Sequence, residues 1–133
     1  MVFARRVFLT AGIYGLIVIA PQLFLEAKTS RDYPPAITHP EFYYGFVGTA
    51  LAWQIAFIMI GRDPVRFRPL MPAAFIEKVV FGIAGQVLYL QGRVPALIAF
   101  FAGIDLLMLL LFLESWRRTR PQSTTPELGR TTT

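Results

Sequence analysis

Three charged residues in otherwise apolar stretches, Glu77, Lys78 and Asp105, are the side chains of this sequence best suited to chemistry. Glu77 and Lys78 are adjacent within an apolar block at residues 72–90, and Asp105 interrupts a second block at residues 94–113. An ionised side chain at the centre of a membrane costs at least about 2.5–3.5 kcal/mol, so such residues face the protein interior and pair with one another. The pattern predicts a polar centre that contacts a small ligand or relays a proton.

The partner of Asp105 follows from the geometry of a helical hairpin. If the two blocks run antiparallel, Lys78 lies about one turn from the level of Asp105, an offset of about 4.5 Å along the helix axis. We therefore expect a buried Lys78–Asp105 ion pair. Two alternatives remain open, since Lys78 could extend alone to the membrane surface, and a protonated Asp105 could donate a hydrogen bond to Gln54 or Gln86.

Glu77 is expected to have a different partner from Lys78. Neighbouring residues on a helix point about 100° apart, so the two side chains do not form a well-oriented pair with each other. Arg66 and Arg68 lie in the loop just before the third apolar helix. We predict that Glu77 turns toward this basic loop.

Two amide side chains, Gln54 and Gln86, complete the predicted polar centre. Each needs a hydrogen-bond partner in lipid, and a bond to a neighbouring helix, worth about 1 kcal/mol, would supply it. A stripe of small residues on the second span, which would let another helix approach closely, consists of Gly48, Ala52 and Ala56.

The composition indicates that these residues belong to a membrane protein. Of the 133 residues, 55% are hydrophobic, and the mean hydropathy is +0.53, which is too apolar for an ordinary soluble domain. About 20 apolar residues are needed to cross the hydrocarbon core as a helix. We therefore predict an all-α fold, an antiparallel bundle of four transmembrane helices within residues 1–118 and a disordered tail at residues 119–133. The predicted spans are residues 7–25, 42–60, 72–90 and 94–113.

The connections between the spans give further expectations. Residues 91–93 are too few for anything but a tight hairpin between spans three and four. Residues 26–41 are predicted to be a connector that is extended and stiffened in places by its prolines, followed by aromatic anchors at Phe42, Tyr43 and Tyr44. An alternative is that this loop forms a lid over an outward-facing cavity. Pro21 is expected to kink or end the first span.

The distribution of basic residues predicts the orientation. Leaving out Lys78, the N-terminus, the second loop and the tail together hold nine Lys and Arg residues, against three in the other two loops. The positive-inside bias therefore predicts a multi-pass protein of the inner membrane with both termini in the cytoplasm. Arg5-Arg6 before an apolar stretch is also similar to a twin-arginine export signal. No small-residue cleavage site follows it, so we expect an uncleaved first helix.

Several classes of function lack support in the sequence. There is no cysteine, no G-x-S-x-G motif, no H-E-x-x-H motif and no phosphate-binding glycine loop. His39 and Glu41 are too few ligands for a metal site, and we predict neither a metal nor a cofactor. The excess of basic residues lies at the ends of the spans and not in a nucleic-acid-binding pattern. We expect no enzymatic activity, although Glu77 and Asp105 could serve as an acid–base pair.

The layout resembles that of small bacterial four-helix membrane proteins of the DoxX-like kind. An arginine precedes the first helix, and Glu77 lies in the third span after Arg68-Pro69-Leu70-Met71-Pro72. This resemblance implies a membrane bundle but no assigned activity. Two functions therefore remain open: a binding or transport-related module with a polar centre, or an accessory or assembly subunit that docks a membrane partner. Besides the bilayer, the candidate partners are a small hydrophobic ligand, another membrane protein or a second copy of the chain.

Overall fold

The computed structural model describes residues 1–121, and every regular element in this range is a helix. The predicted all-α fold is therefore confirmed. The prediction of a disordered tail concerns residues 119–133, and from residue 122 onward these lie outside the described residues. The five α-helices are α1 (Val2–Ile19), α2 (Glu26–Asp32), α3 (Pro40–Arg62), α4 (Met71–Leu90) and α5 (Ala96–Arg118).

Four segments are long and apolar enough to cross a membrane. Two of them include a short 3₁₀ segment, Ala20–Phe24 after α1 and Arg68–Leu70 before α4. Each segment has 23 residues, which as a helix would span about 35 Å against a hydrocarbon core of about 30 Å. The expectation of four candidate membrane spans is confirmed, and the segments are Val2–Phe24, Pro40–Arg62, Arg68–Leu90 and Ala96–Arg118.

The helices extend beyond the predicted spans at several ends. α1 begins at Val2 instead of residue 7, and α5 continues to Arg118 instead of ending at residue 113. A charge-free stretch marks only the part of a helix that sits in hydrocarbon, while the backbone hydrogen bonds continue through the charged residues at the interface. α5 begins at Ala96 and not at Val94, because Pro95 is extended (φ −70°, ψ 161°) and disfavours helix at the residue before it.

The prediction for residues 26–41 is wrong in its first half. Glu26–Asp32 forms the helix α2, in which the exposed side chains of Lys28 and Asp32 pair at a spacing of four residues, an arrangement that stabilises a helical turn. Only the part from Tyr33 to His39 is irregular. The expectation for Pro21 is confirmed, because α1 gives way at Ala20 to the 3₁₀ segment that contains it.

The four long helices form two antiparallel pairs. α1 packs mainly on α3 and α4 mainly on α5, while α1 also contacts α5. The pairing of Gly12 with Ile58 and of Gly61 with Leu9 shows that α1 and α3 run in opposite directions. α3 and α4 touch only sparsely, so the two helix pairs are joined mainly through α1 and α5.

Glycines allow the helices of each pair to approach closely. A Cβ atom on Gly12 would lie 2.7 Å from the backbone oxygen of Gln54, and one on Gly85 would lie 2.5 Å from Cβ of Ala102. Such distances leave no room for a side chain. Close backbone contact of this kind is how helices associate in a membrane, where no hydrophobic effect drives them together.

Three phenylalanines fill the centre where α1, α3 and α5 meet. Phe8, Phe57 and Phe112 are fully buried. The rings of Phe8 and Phe112 stack with centroids 4.2 Å apart, and Phe57 meets Phe112 edge-on at 5.1 Å. This cluster joins the two helix pairs next to the charged residues described below.

Side chains at both ends of the bundle link the connecting segments to the helices. At one end, the Tyr43 hydroxyl donates a hydrogen bond of 2.6 Å to the carbonyl of Gln22. At the other end, the Arg68 guanidinium lies 3.4 Å from the centroid of a ring of Trp116 and donates a hydrogen bond of 3.2 Å to its carbonyl oxygen. Arg68 therefore fixes the start of α4 against the end of α5.

Candidate functional site

The predicted ion pair between Lys78 and Asp105 is present and lies inside the bundle. Lys78 Nζ donates a hydrogen bond of 3.0 Å to Asp105 Oδ1, and the Lys78 side chain is only 6% exposed. Gly82 and Gly85, on the same face of α4, let α5 come close enough for the pair to form. The alternative in which Lys78 extends alone to the membrane surface is therefore wrong.

Glu77 shares the ammonium of Lys78 and does not turn toward the basic loop as predicted. Glu77 Oε2 lies 3.1 Å from Lys78 Nζ. The two atoms form an ion pair but not a hydrogen bond, and Oε2 is buried without a hydrogen-bond partner among the described residues. This poor alignment agrees with the divergence of adjacent helical side chains. The guanidinium of Arg68 is engaged by Trp116 instead.

A third helix contributes an aromatic ring to the centre. Lys78 Nζ lies 5.2 Å from the ring centroid of Phe57 on α3, within the range of a cation–π interaction. The ammonium thus has a carboxylate from its own helix, a carboxylate from α5 and a ring from α3. We call Glu77, Lys78 and Asp105 the charged triad.

Gln54 is buried but does not serve the role predicted for it. Its side chain is 1% exposed, and its Nε2 donates a hydrogen bond of 2.9 Å to the carbonyl of Ala50, one turn earlier in the same helix. The Gln54 side chain packs against Gly15, where a Cβ atom would lie only 1.8 Å from Oε1. Gln54 therefore fills the α1–α3 interface, and its amide bonds neither another helix nor Asp105.

Gln86 forms the interhelical hydrogen bond expected of it. Its Nε2 donates a hydrogen bond of 2.8 Å to the carbonyl of Ala99 on α5. Gln86 is two turns beyond Lys78 along α4, about 12 Å farther along the helix axis. It joins the same two helices as the charged triad but is not part of it, and it is not the partner of Asp105.

Tyr14 is a site residue that the sequence analysis missed. Its hydroxyl oxygen is buried and has no hydrogen-bond partner among residues 1–121. The available signal was a single tyrosine near the middle of an uncharged span. α1 thus carries a buried polar group that the predicted polar centre did not include.

Comparisons with known proteins do not identify a family for this chain. No family model, curated protein or solved structure matches it. The resemblance to DoxX-like proteins therefore stays a prediction from the layout of the sequence. The description of function rests on the geometry of the chain itself.

The chemistry available at the centre is that of two carboxylates and one ammonium. Among the described residues, no group of three or more His, Cys, Asp or Glu side chains is placed to hold a metal ion. The two carboxylates flank the same cation, at 3.1 Å and 3.0 Å. This arrangement can hold and exchange a proton, and it contains no nucleophile activated by a base.

Proposed function

We propose that this chain is a multi-pass inner-membrane protein that binds and releases a proton at the charged triad, as a binding or transport-related module. The observation that carries the proposal is the sharing of one buried ammonium by two carboxylates, one from α4 and one from α5. The four apolar helices support a multi-pass membrane protein. The choice of the inner membrane follows from the charge pattern of the loops.

The formal charge of the triad explains why it would take up a proton. With all three groups ionised, two negative charges face one positive charge, and one negative charge is left in an apolar surrounding. A net charge inside a membrane protein is costly unless it is compensated. Protonation of one carboxylate makes the triad neutral, while Lys78 keeps its own proton and stays paired with the other carboxylate.

A proton fits this centre better than a metal cation does. A metal would need several oxygen ligands around it, whereas the space between the two carboxylates holds the ammonium of Lys78, which repels a second cation. A proton needs only one carboxylate oxygen.

The placement of the triad favours binding over conduction through the whole bundle. Glu77 is about 9 Å from the start of α4 and Asp105 about 14 Å from the start of α5, and both side chains are slightly exposed, at 18% and 15%. The next polar side chain along α4, Gln86, is hydrogen-bonded to a backbone carbonyl and makes no continuous path with the two carboxylates.

Infrared difference spectroscopy of the protein in lipid nanodiscs tests the proposal. Acidification is expected to produce the carbonyl band of one protonated carboxyl group per chain, because the neutral triad is favoured. The band should disappear or shift in Glu77→Gln or Asp105→Asn and should remain in Glu41→Gln, whose side chain is exposed at the start of α3. A spectrum that responds to pH equally in all three variants would contradict proton binding at the triad.

The predicted orientation has its own test. A reporter fused after Arg118 is expected to be active only in the cytoplasm, and one inserted at Gly92 only in the periplasm, because basic loops stay on the cytoplasmic side. Gly92 lies in the turn between α4 and α5, and no atom of the described part of the chain lies within 4 Å of its Cβ position. An insertion there disturbs no packing among these residues. Periplasmic activity of the fusion after Arg118 would contradict the predicted orientation.

The alternative role as an accessory or assembly subunit has one observation in its favour. On the stripe of small residues on α3, Gly48 and Ala52 are exposed, and nothing within the described residues lies within 4 Å of a Cβ atom on Gly48. A second helix could approach there. The native mass of the detergent-purified protein separates the two roles, since a stoichiometric protein partner would add a mass that a bound proton does not.

A further inference from the structure

A groove runs between α1 and α5, on a surface that the charged triad does not use. It has a volume of about 560 Å³, which lies within the usual range for ligand sites. Its walls are almost entirely apolar side chains of the two helices. The apolar lining residues include Val7, Ala11, Met108 and Leu111, and Thr10 lies among them on α1.

One cation, Arg6, lines this apolar groove. Its side chain is exposed and has no ion-pair or hydrogen-bond partner within the described residues. Arg117 and Arg118 at the end of α5, in contrast, both bind Glu114, and Arg118 also lies 4.3 Å from the ring centroid of Phe3 at the edge of the groove. Arg6 lies in the second turn of α1, at the end of the bundle where a membrane-spanning helix meets the headgroup layer. The apolar walls extend from there along α1 to Ala11, about 8 Å deeper.

We propose that this groove binds an anionic phospholipid, with an acyl chain along Val7, Thr10 and Met108 and the phosphate group at Arg6. An acyl chain matches the apolar walls, and an anion matches the unpaired guanidinium. Basic groups beside grooves between transmembrane helices are suited to acidic headgroups. The predicted orientation places Arg6 in the cytoplasmic leaflet, where anionic lipids attract basic residues. This inference does not depend on proton binding at the triad.

Lipid titration in neutral detergent, followed by native mass spectrometry and by thermal melting, tests the proposal. Phosphatidylglycerol is expected to bind as one lipid per chain and to raise the melting temperature, and phosphatidylcholine with the same acyl chains should bind more weakly. Arg6→Gln should weaken phosphatidylglycerol binding about fivefold, the effect of one basic residue at the membrane surface. Arg5→Gln is the matched control, since Arg5 is also exposed but does not line the groove.

A second variant tests the apolar part of the site. Thr10 is exposed on α1, so Thr10→Phe fills the groove without entering the core and should abolish binding of both lipids. Equal effects of Arg5→Gln and Arg6→Gln would overturn the proposal in favour of a general attraction to acidic lipid. Undiminished lipid binding by the Thr10→Phe variant would show that the groove is not the binding site. Stabilisation by inorganic phosphate to the same degree as by phosphatidylglycerol would assign Arg6 to a free anion and overturn the lipid site.

Discussion

Replacement of Lys78 by methionine is expected to lower the free energy of unfolding by about 3–5 kcal/mol, the usual cost of removing one partner from a buried ion pair. Lys78 Nζ is the cation within 4 Å of both Glu77 Oε2 and Asp105 Oδ1. Methionine has nearly the same length, so little packing is lost. The two carboxylates would then face each other without compensation in an apolar surrounding.

The measurement is unfolding in mixed micelles with increasing fractions of a denaturing detergent, carried out at several pH values. The loss of unfolding free energy caused by Lys78→Met should become smaller as the pH is lowered, because protonation removes the repulsion between the carboxylates. Lys28→Met is the matched control. Lys28 pairs with Asp32 on the exposed surface of α2, where an ion pair contributes at most about 1 kcal/mol.

A double-mutant cycle separates the ion pair from the general cost of a change in the bundle core. Lys78→Met and Asp105→Leu together are expected to cost less than the sum of the single variants, with a coupling of about 0.5–3 kcal/mol. The coupling arises because the 3.0 Å hydrogen bond between the two groups is lost only once. Additive effects would show that the pair does not hold α4 and α5 together.

Gly12→Ala is expected to destabilise the bundle by about 1–3 kcal/mol, although the change adds a single methyl group. The new Cβ atom would lie 2.7 Å from the backbone oxygen of Gln54, 2.7 Å from Cγ1 of Ile58 and 3.2 Å from the backbone nitrogen of Ile58. Backbone atoms of a helix cannot rotate away as a side chain can. α1 would have to move away from α3 along the contact that holds this pair.

Gly48→Ala is the matched control for this prediction. Gly48 is also a glycine inside a long helix, but no atom of residues 1–121 lies within 4 Å of its Cβ position. Alanine in a helix interior is favoured over glycine by about 0.5–1 kcal/mol, so this variant should be as stable as the parent or more stable. Thermal melting in the same detergent compares the two, and equal melting temperatures for both variants would contradict the close approach of α1 and α3.

A similar comparison at Gly15 separates a rigid from a flexible contact. A Cβ atom there would meet the side chain of Gln54, with Oε1 at 1.8 Å. The obstacle is then the end of a side chain that can move, and Gln54→Ala would remove it. Gly15→Ala should therefore be rescued by Gln54→Ala, whereas Gly12→Ala should not.

The number of spans and the pairing of Lys78 with Asp105 could be predicted because each depends on local or near-local features. Uninterrupted apolar stretches determine the spans, since a helix must satisfy its own backbone in lipid. The short turn between α4 and α5 determines their antiparallel alignment and hence the level at which residues face each other. The helix ends were predicted less accurately, because charged residues at the membrane interface can still be helical, as at Arg5, Arg6 and Arg118.

The surroundings of Glu77, Gln54 and Tyr14 could not be predicted, because they depend on contacts between helices and not on the local sequence. Glu77 meets the ammonium of its own neighbour, which also reaches Asp105 on α5. Gln54 bonds its own helix because Gly15 leaves a space for its side chain on α1. The burial of the Tyr14 hydroxyl depends on how α1 packs against α3 and α5.

By itself, the sequence determined an all-α bundle of four apolar helices and made a Lys78–Asp105 ion pair the expected contact between the last two. Apolar length and charge spacing carry that information along the chain. Only the tertiary structure decided that two carboxylates share one ammonium, that Phe57 completes its surroundings and that Arg6 lines an apolar groove. These features depend on how helices distant in sequence rotate and approach, which is set by interlocking side chains and glycine contacts.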